Sequence, residues 1–175
     1  MDPEIRFADA PEAASQVEAL VGLLTDAVEH GASVGFLPPL GAGEARAYWE
    51  EVVAGLASAT RGLALAWVDG RLAGTAQLVE AGKANARHRA EVCKVLVHSA
   101  FRRRGLGAAL LRALEAHARG RGLSTLVLDT RQGDPAERLY LAQGWIRCGV
   151  IPEYFRTPEG TLDSTVVYYK LLGER

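Results

Sequence analysis

Residues 91–115 read EVCKVLVHSAFRRRGLGAALLRALE, and the architecture turns on this stretch. Val92 to Val97 is apolar and β-branched, the composition of a strand. Arg102 to Gly107 follows as RRRGLG, a basic turn punctuated by glycines. From Leu106 onward, apolar residues recur at Leu106, Ala109, Leu110, Ala113 and Leu114, which is a helical spacing. The order is strand, basic loop, amphipathic helix. The first turn of a helix leaves backbone N–H groups without partners, and the macrodipole places partial positive charge there. Gly105 and Gly107 let a ligand come close to the backbone, and Arg102, Arg103 and Arg104 add fixed positive charge. The sum is a phosphate site, suited to a pyrophosphate that carries a nucleotide end.

Working outward, Glu4 to Ala8 reads as a short strand. Asp9 to Glu12 (DAPE) starts a helix, with Asp9 as N-cap and Pro11 and Glu12 early in it. Val17, Leu20, Val21, Leu24 and Val28 mark one face of that helix, and Gly31 ends it. HGASVGF, residues 30–36, is a loop, and Pro38-Pro39 keeps it non-helical. A second helix spans about Gly43 to Ser58. From Gly62 the period becomes two, and Asp69-Gly70 marks a tight hairpin. Leu72 to Glu80 returns, and Ala81 to Arg89 is a polar, irregular loop. Beyond the central stretch come a strand at Leu123 to Thr130, a short helix at Ala136 to Gln143, and strands at Trp145 to Ile151 and Ser164 to Leu172. The order β-α-α-β-β-β-α-β-α-β-β indicates one mixed α/β domain over residues 1–175.

Composition narrows the function. With 20 Lys and Arg against 21 Asp and Glu, the net charge is −1, so no general basic field exists for nucleic acid. Cys93 and Cys148 sit in apolar runs and read as reduced core thiols, too few for a disulfide framework. No apolar run reaches the ~18–20 residues of a membrane span, and MDPEIRFADAPEA lacks a signal-peptide pattern, so the expectation is a cytoplasmic protein away from membranes. No His, Cys, Asp or Glu pair has metal-ligand spacing, so no metal is expected.

A P-loop would need Lys after Gly107, and a dinucleotide fingerprint would need Gly at Leu110. The spacing that fits is R-x-x-G-x-G, from Arg102 through Gly105 to Gly107. This segment resembles the acetyl-CoA pyrophosphate loop of the GNAT superfamily of N-acetyltransferases. AERLYLAQGW, residues 136–145, resembles the second motif of the same superfamily, A-x-x-[LF]-Y-x-x-x-G-[FW]. Two positions depart from the pattern: Gly133 stands where many relatives carry Asn, and Ser99 where the loop often has Pro. Residues 30–36 and the tail PEYFRTPEGTLDSTVVYYKLLG, residues 152–173, look like tabtoxin-resistance acetyltransferases within that superfamily.

The resemblance implies a central, mostly antiparallel twisted sheet of about six to seven strands. It also implies a splayed parallel pair and helices on both faces. It implies acetyl-CoA as co-substrate. Its pyrophosphate would lie on the backbone of Arg103, Arg104, Gly105, Leu106, Gly107 and Ala108 beside Arg102, and its arm would pair with the backbone of Val95, Leu96 and Val97 as a peptide adds to a sheet edge. Tyr140 would protonate or hydrogen-bond the leaving sulfur. An ammonium of pKa roughly 8 to 10.4 cannot attack until a proton is removed. Glu91 and Asp129, acids at the ends of two adjoining strands, are the base candidates, and a water chain is the other. His30, Phe36 and Tyr154 are expected in the acceptor pocket. The acceptor is read as a small amino-acid-like or toxin-like amine. The alternatives are a protein N-terminus, or a non-catalytic acyl-CoA-binding module. Either a monomer or a homodimer is compatible with the sequence.

Overall fold

In the computed structural model, which describes residues 3–173, the chain opens with β1 (Glu4–Phe7), α1 (Ala10–Ser15), α2 (Val17–Glu29) and α3 (Ala42–Gly55). It continues through β2 (Arg61–Val68), β3 (Arg71–Glu80) and β4 (Arg89–Val97) to α4 (Leu106–Gly120). It ends with β5 (Thr125–Arg131), α5 (Ala136–Ala142), β6 (Ile146–Arg156) and β7 (Leu162–Leu171). The seven strands form one sheet in the order β1-β2-β3-β4-β5-β7-β6. Every neighbouring pair is antiparallel except β4–β5.

Alternating residue size in β2 sorts its side chains between the two faces. Leu63 and Leu65 are buried against α1, α2 and α3, where Leu20, Leu24 and Trp49 meet them. Ala64 and Ala66 face the other way, and with Ala76 and Ala90 they form a floor of small side chains. Helix α4 lies on that floor through Leu110, Leu111, Leu114 and Ala118. Each leucine so buried contributes roughly 1.5–3 kcal/mol. The approach is close: a Cβ on Gly74 would meet the Leu96 carbonyl oxygen at 2.8 Å and Leu110 Cδ1 at 3.2 Å. Helices therefore cover both faces, as the sequence implies.

The parallel pair is joined only where Arg89–Glu91 faces Thr125–Val127. Past Glu91 the two strands part. From Val92 onward β4 pairs with β3 on one side and leaves its other edge free. A bulge also interrupts β4: Cys93 faces Gln77 and Leu96 faces Thr75, so two residues of β4 stand against one of β3. Lys94 holds φ +50° there. In an unbroken strand, positions 92 and 96 share a face. Here Val92 packs under α4 while Leu96 packs against the α2–α3 side, so the bulge turns the strand over.

Several boundaries differ from the sequence reading. The first long helix is two helices, broken at Gln16 (φ −105°, ψ 6°). Ser15 Oγ donates to the Glu12 carbonyl at 2.7 Å there, a local bond that competes with the helix ladder. Asp9 does cap α1, its carboxylate accepting from Glu12 N at 2.8 Å. Strand β4 starts at Arg89, because Ala90 and Glu91 extend the ladder to Glu80 and Val79. Strand β6 runs through Pro152 to Arg156, since a register shift between Ile151 and Phe155 accommodates the proline on this edge strand. Cys148 is exposed on that strand rather than in a core, and Cys93 is only partly buried.

Candidate active site

The loop before α4 presents its backbone outward. Gly105 is the N-cap in the left-handed region, and no side chain caps the helix. The first helical bond is Ala109 N to the Gly105 carbonyl at 3.0 Å. The N–H groups of Leu106, Gly107 and Ala108 precede it and point out of the helix end. Arg103 also takes a positive φ, +62°, which with Gly105 curls the backbone into a concavity of the kind that can hold an anion. Space over Gly105 is open, with no atom within 4 Å of a Cβ placed there. Gly107 has a different task. A Cβ on it would meet Leu139 Cδ2 at 2.9 Å, so this glycine lets α5 pack against the first turn of α4. The arginines also divide. Arg102 Nε donates to the Val97 carbonyl at 3.2 Å, and Arg102 and Arg103 line the adjoining cavity. Arg104 turns away and lies over the Phe101 ring, 5.5 Å from its centroid.

Two cavities meet below this loop. The larger, about 510 Å³, runs from Arg102, Arg103 and residues 105–108 along the free edge of β4 at Val95, Leu96 and Val97 to Tyr140, and His30 also lines it. The smaller, about 310 Å³, lies in the gap between β4 and β5, where Glu91, Lys94, Asp129 and Arg131 line it. Tyr154, Phe155 and Thr165 close it from β6 and β7, and Ser33–Gly35 from the loop after α2. Both cavities share Ala32, Val95, Asp134, Ala136 and Tyr140. The donor set fits a long anionic molecule with an amide-bearing arm: free helix N–H groups at one end, an unpaired strand edge in the middle, Tyr140 at the other. An acyl-CoA has those parts.

Tyr140 is 7% exposed, with the rings of Tyr168 and Trp145 at 5.8 Å and 6.2 Å between centroids. Burial pushes its phenol above the ordinary value, and the charges of Asp134 and Asp129 add to this. It stays protonated at neutral pH and so keeps a proton it can donate. Glu91 and Asp129 both line the smaller cavity. Asp129 Oδ2 accepts from the Thr165 hydroxyl at 2.7 Å, which orients that carboxylate. Among the expected acceptor residues, Tyr154 lies on the wall of the smaller cavity. His30 instead lines the larger one, with Nδ1 2.7 Å from the Asp26 carbonyl oxygen. Phe36 lies in neither wall and packs edge-on against Tyr48, 5.3 Å between centroids.

Two carboxylates clasp the loops around the site. Asp26 of α2 accepts from Ser99 N at 2.7 Å and from Ser99 Oγ at 2.6 Å. Burial alone would raise the Asp26 carboxyl, but the Ser99 bonds, with His98 and His30 nearby, outweigh it and hold the group below its ordinary value. The serine that replaces proline in the motif thus ties the loop before α4 to α2. Glu137 accepts from Gly133 N and from the Tyr168 hydroxyl, each at 2.6 Å, and these bonds hold its carboxyl low. Gly133, in the slot for Asn, takes φ +83° to make that turn. Lys94, Arg131 and Asp134 are cavity residues that the sequence reading did not single out. The bulge places Lys94 and the strand order Arg131, and neither leaves a local pattern; Asp134 sits in the turn before α5, its Oδ1 accepting from Ala136 N at 2.7 Å.

Among the described residues no cluster of three or more His, Cys, Asp or Glu could hold a metal, and no helix is long and apolar enough to cross a membrane. The sequence model of the acetyltransferase (GNAT) family matches residues 26–145. Solved structures share the fold. A protein assigned as a phosphinothricin N-acetyltransferase is 19% identical with a TM-score of 0.82, over 99% of this chain and 100% of that one. The ribosomal-protein-alanine N-acetyltransferase of Brucella melitensis is 23% identical with a TM-score of 0.78, over 96% and 99%. YncA of Salmonella typhimurium, solved with its cofactor acetyl-CoA, is 23% identical with a TM-score of 0.77, over 100% and 96%.

Proposed function

Because the chain belongs to the GNAT family of acetyltransferases, we propose that it moves acetyl from acetyl-CoA to the amine of a small molecule by direct attack. The observation that carries this reading is Tyr140, a buried phenol at the junction of the two cavities. The larger cavity suits the CoA portion and the smaller one the acceptor. The neutral amine nitrogen attacks the thioester carbonyl carbon. The C–N bond forms and the C–S bond breaks. Tyr140 gives its proton to the departing thiolate and recovers one from solvent. The acceptor ammonium first loses a proton to Glu91, to Asp129 or to water between them, and the nitrogen sheds its second proton the same way as the amide forms.

Size supports a small acceptor, since about 310 Å³ is near the lower end of ligand cavities. The tail that resembles tabtoxin-resistance enzymes supplies Tyr154, Phe155 and Thr165 to that cavity, which supports an amino-acid-like or toxin-like amine over a protein N-terminus. Calorimetric titration with acetyl-CoA, followed by free-thiol release over a panel of small amines and N-terminal peptides, tests the reading. Binding with thiol release on a small amine is the expected result. Binding with release on peptides alone assigns a protein acceptor. Absence of acetyl-CoA binding overturns the reading of the loop.

A further inference from the structure

We propose that Lys94 forms an anion subsite in the smaller cavity, so that the acceptor carries a carboxylate, or a comparable oxyanion, beside the amine that is acetylated. This rests on the acetyltransferase reading above and narrows its substrate class.

The position of Lys94 is unusual in three respects. First, it occupies the bulge of β4 at φ +50°. Glycine or asparagine would sit there at lower conformational cost, so packing and local geometry do not call for lysine. Second, the bulge brings Lys94 to the same side of the sheet as α3. Its Nζ stands 5.5 Å from the Tyr48 ring centroid and 3.7 Å from where a Cβ on Gly35 would lie. Tyr48 donates no charge to neutralise it, because burial pushes that phenol up to about 12. Third, Lys94 pairs with no carboxylate among the described residues.

Comparison with the other cations sharpens the point. Arg131 lines the same cavity, but its Nε is 2.8 Å from Asp163 Oδ2, so its charge is already met. Lys170, on the neighbouring strand, is held by Glu115 at 2.7 Å. Lys94 meets the face of the Tyr48 ring but no anion among the described residues, and its anion is left to a ligand. The same cavity is lined by Glu91 on β4, Asp129 at the end of β5 and Asp134 before α5, and these attract an ammonium. A simple amine would satisfy the acids and leave the lysine uncompensated. A molecule with an amine and an oxyanion satisfies both ends in one orientation, with the amine toward the β4–β5 gap and Tyr140.

The test uses steady-state acetylation of the common amino acids and of their carboxamides, which keep the amine and lose the negative charge. The intact chain should prefer at least one acid over its carboxamide by roughly tenfold or more in kcat/KM, chiefly through KM, as expected for a charge-assisted hydrogen bond. Lys94→Asn keeps a residue that tolerates the left-handed region and should bring that preference toward unity. Lys94→Arg should keep most of it. Lys94→Gly serves as the second neutral variant should the asparagine fold poorly. Equal rates on acid and carboxamide in the intact chain overturn the subsite, as does a preference unchanged in Lys94→Asn and Lys94→Gly. Acetyl-CoA binding without thiol release on any amine overturns the acetyltransferase reading itself, and the subsite with it.

Discussion

Removing the Tyr140 hydroxyl takes one atom from the junction of the cavities and leaves the ring packed on Trp145 and Tyr168. Tyr140→Phe should lower kcat by about 10²-fold or more while acetyl-CoA affinity changes little. Comparing calorimetric Kd with single-turnover rates checks this, and an unchanged rate removes Tyr140 as the acid. Burial holds the phenol above its ordinary value, so it remains a donor up to at least about pH 10. A pH–rate profile of the intact chain should therefore show no alkaline limb from Tyr140 below that point. The glycines separate two effects that the sequence reading merged. Both Gly105 and Gly107 read as ligand-facing from RRRGLG, but only Gly105 has open space and a positive φ. Gly105→Ala should destabilise by about 1 kcal/mol and weaken acetyl-CoA binding. Gly107→Val presses on Leu139, the neighbour of Tyr140, and should reduce kcat as well as affinity. The spacing of R-x-x-G-x-G was legible; which arginine turns onto Phe101 was not, because that depends on a ring from another turn.

At the level of elements, the clasp between α2 and the loop before α4 was hidden in the sequence. Asp26 lies 73 positions from Ser99, and nothing local marks the pair. Asp26→Ala should cost about 1.5–3 kcal/mol for the lost charge-assisted bonds, measured by denaturant unfolding. The sign with pH follows from linkage. The Asp26 carboxyl sits lower in the folded chain than in the unfolded one. Its contribution is present above the unfolded value of about 3.9 and is lost as pH falls through the lowered native value. The gap between the intact chain and Asp26→Ala should therefore close in acid and stay open at neutral pH. Helix and strand types were legible because their periods are strong. The break at Gln16 and the continuation of β6 through Pro152 were not. The first depends on one serine back-bond, and the second on a proline being tolerated where a bulge frees it from the ladder.

For the molecule as a whole, strand order is the information that local patterns lack. Placing β7 between β5 and β6 brings Thr165 to Asp129 and builds one wall of the smaller cavity from the last part of the chain. The seam between β4 and β5 is three residues long on each strand, so much of the joint is an opening rather than a ladder. A ligand in that opening should protect the amides of Val95 to Val97 from hydrogen exchange and add about 2.7 kcal/mol of stability at a hundred times its Kd. Exchange with and without acetyl-CoA checks both. The alanine floor under α4 has a consequence of its own. Helix α4 carries the proposed phosphate site at its tip, and its height above the sheet is set by the thickness of Ala64, Ala66, Ala76 and Ala90. Those methyl groups act as shims. They fix how far the end proposed to hold the anion stands from the strand edge where the thioester would lie, a spacing that a ligand of constant length must match. Ala76→Val touches neither cavity, yet it thickens one shim, and its cost should fall on alignment at the sulfur rather than on grip at the phosphates.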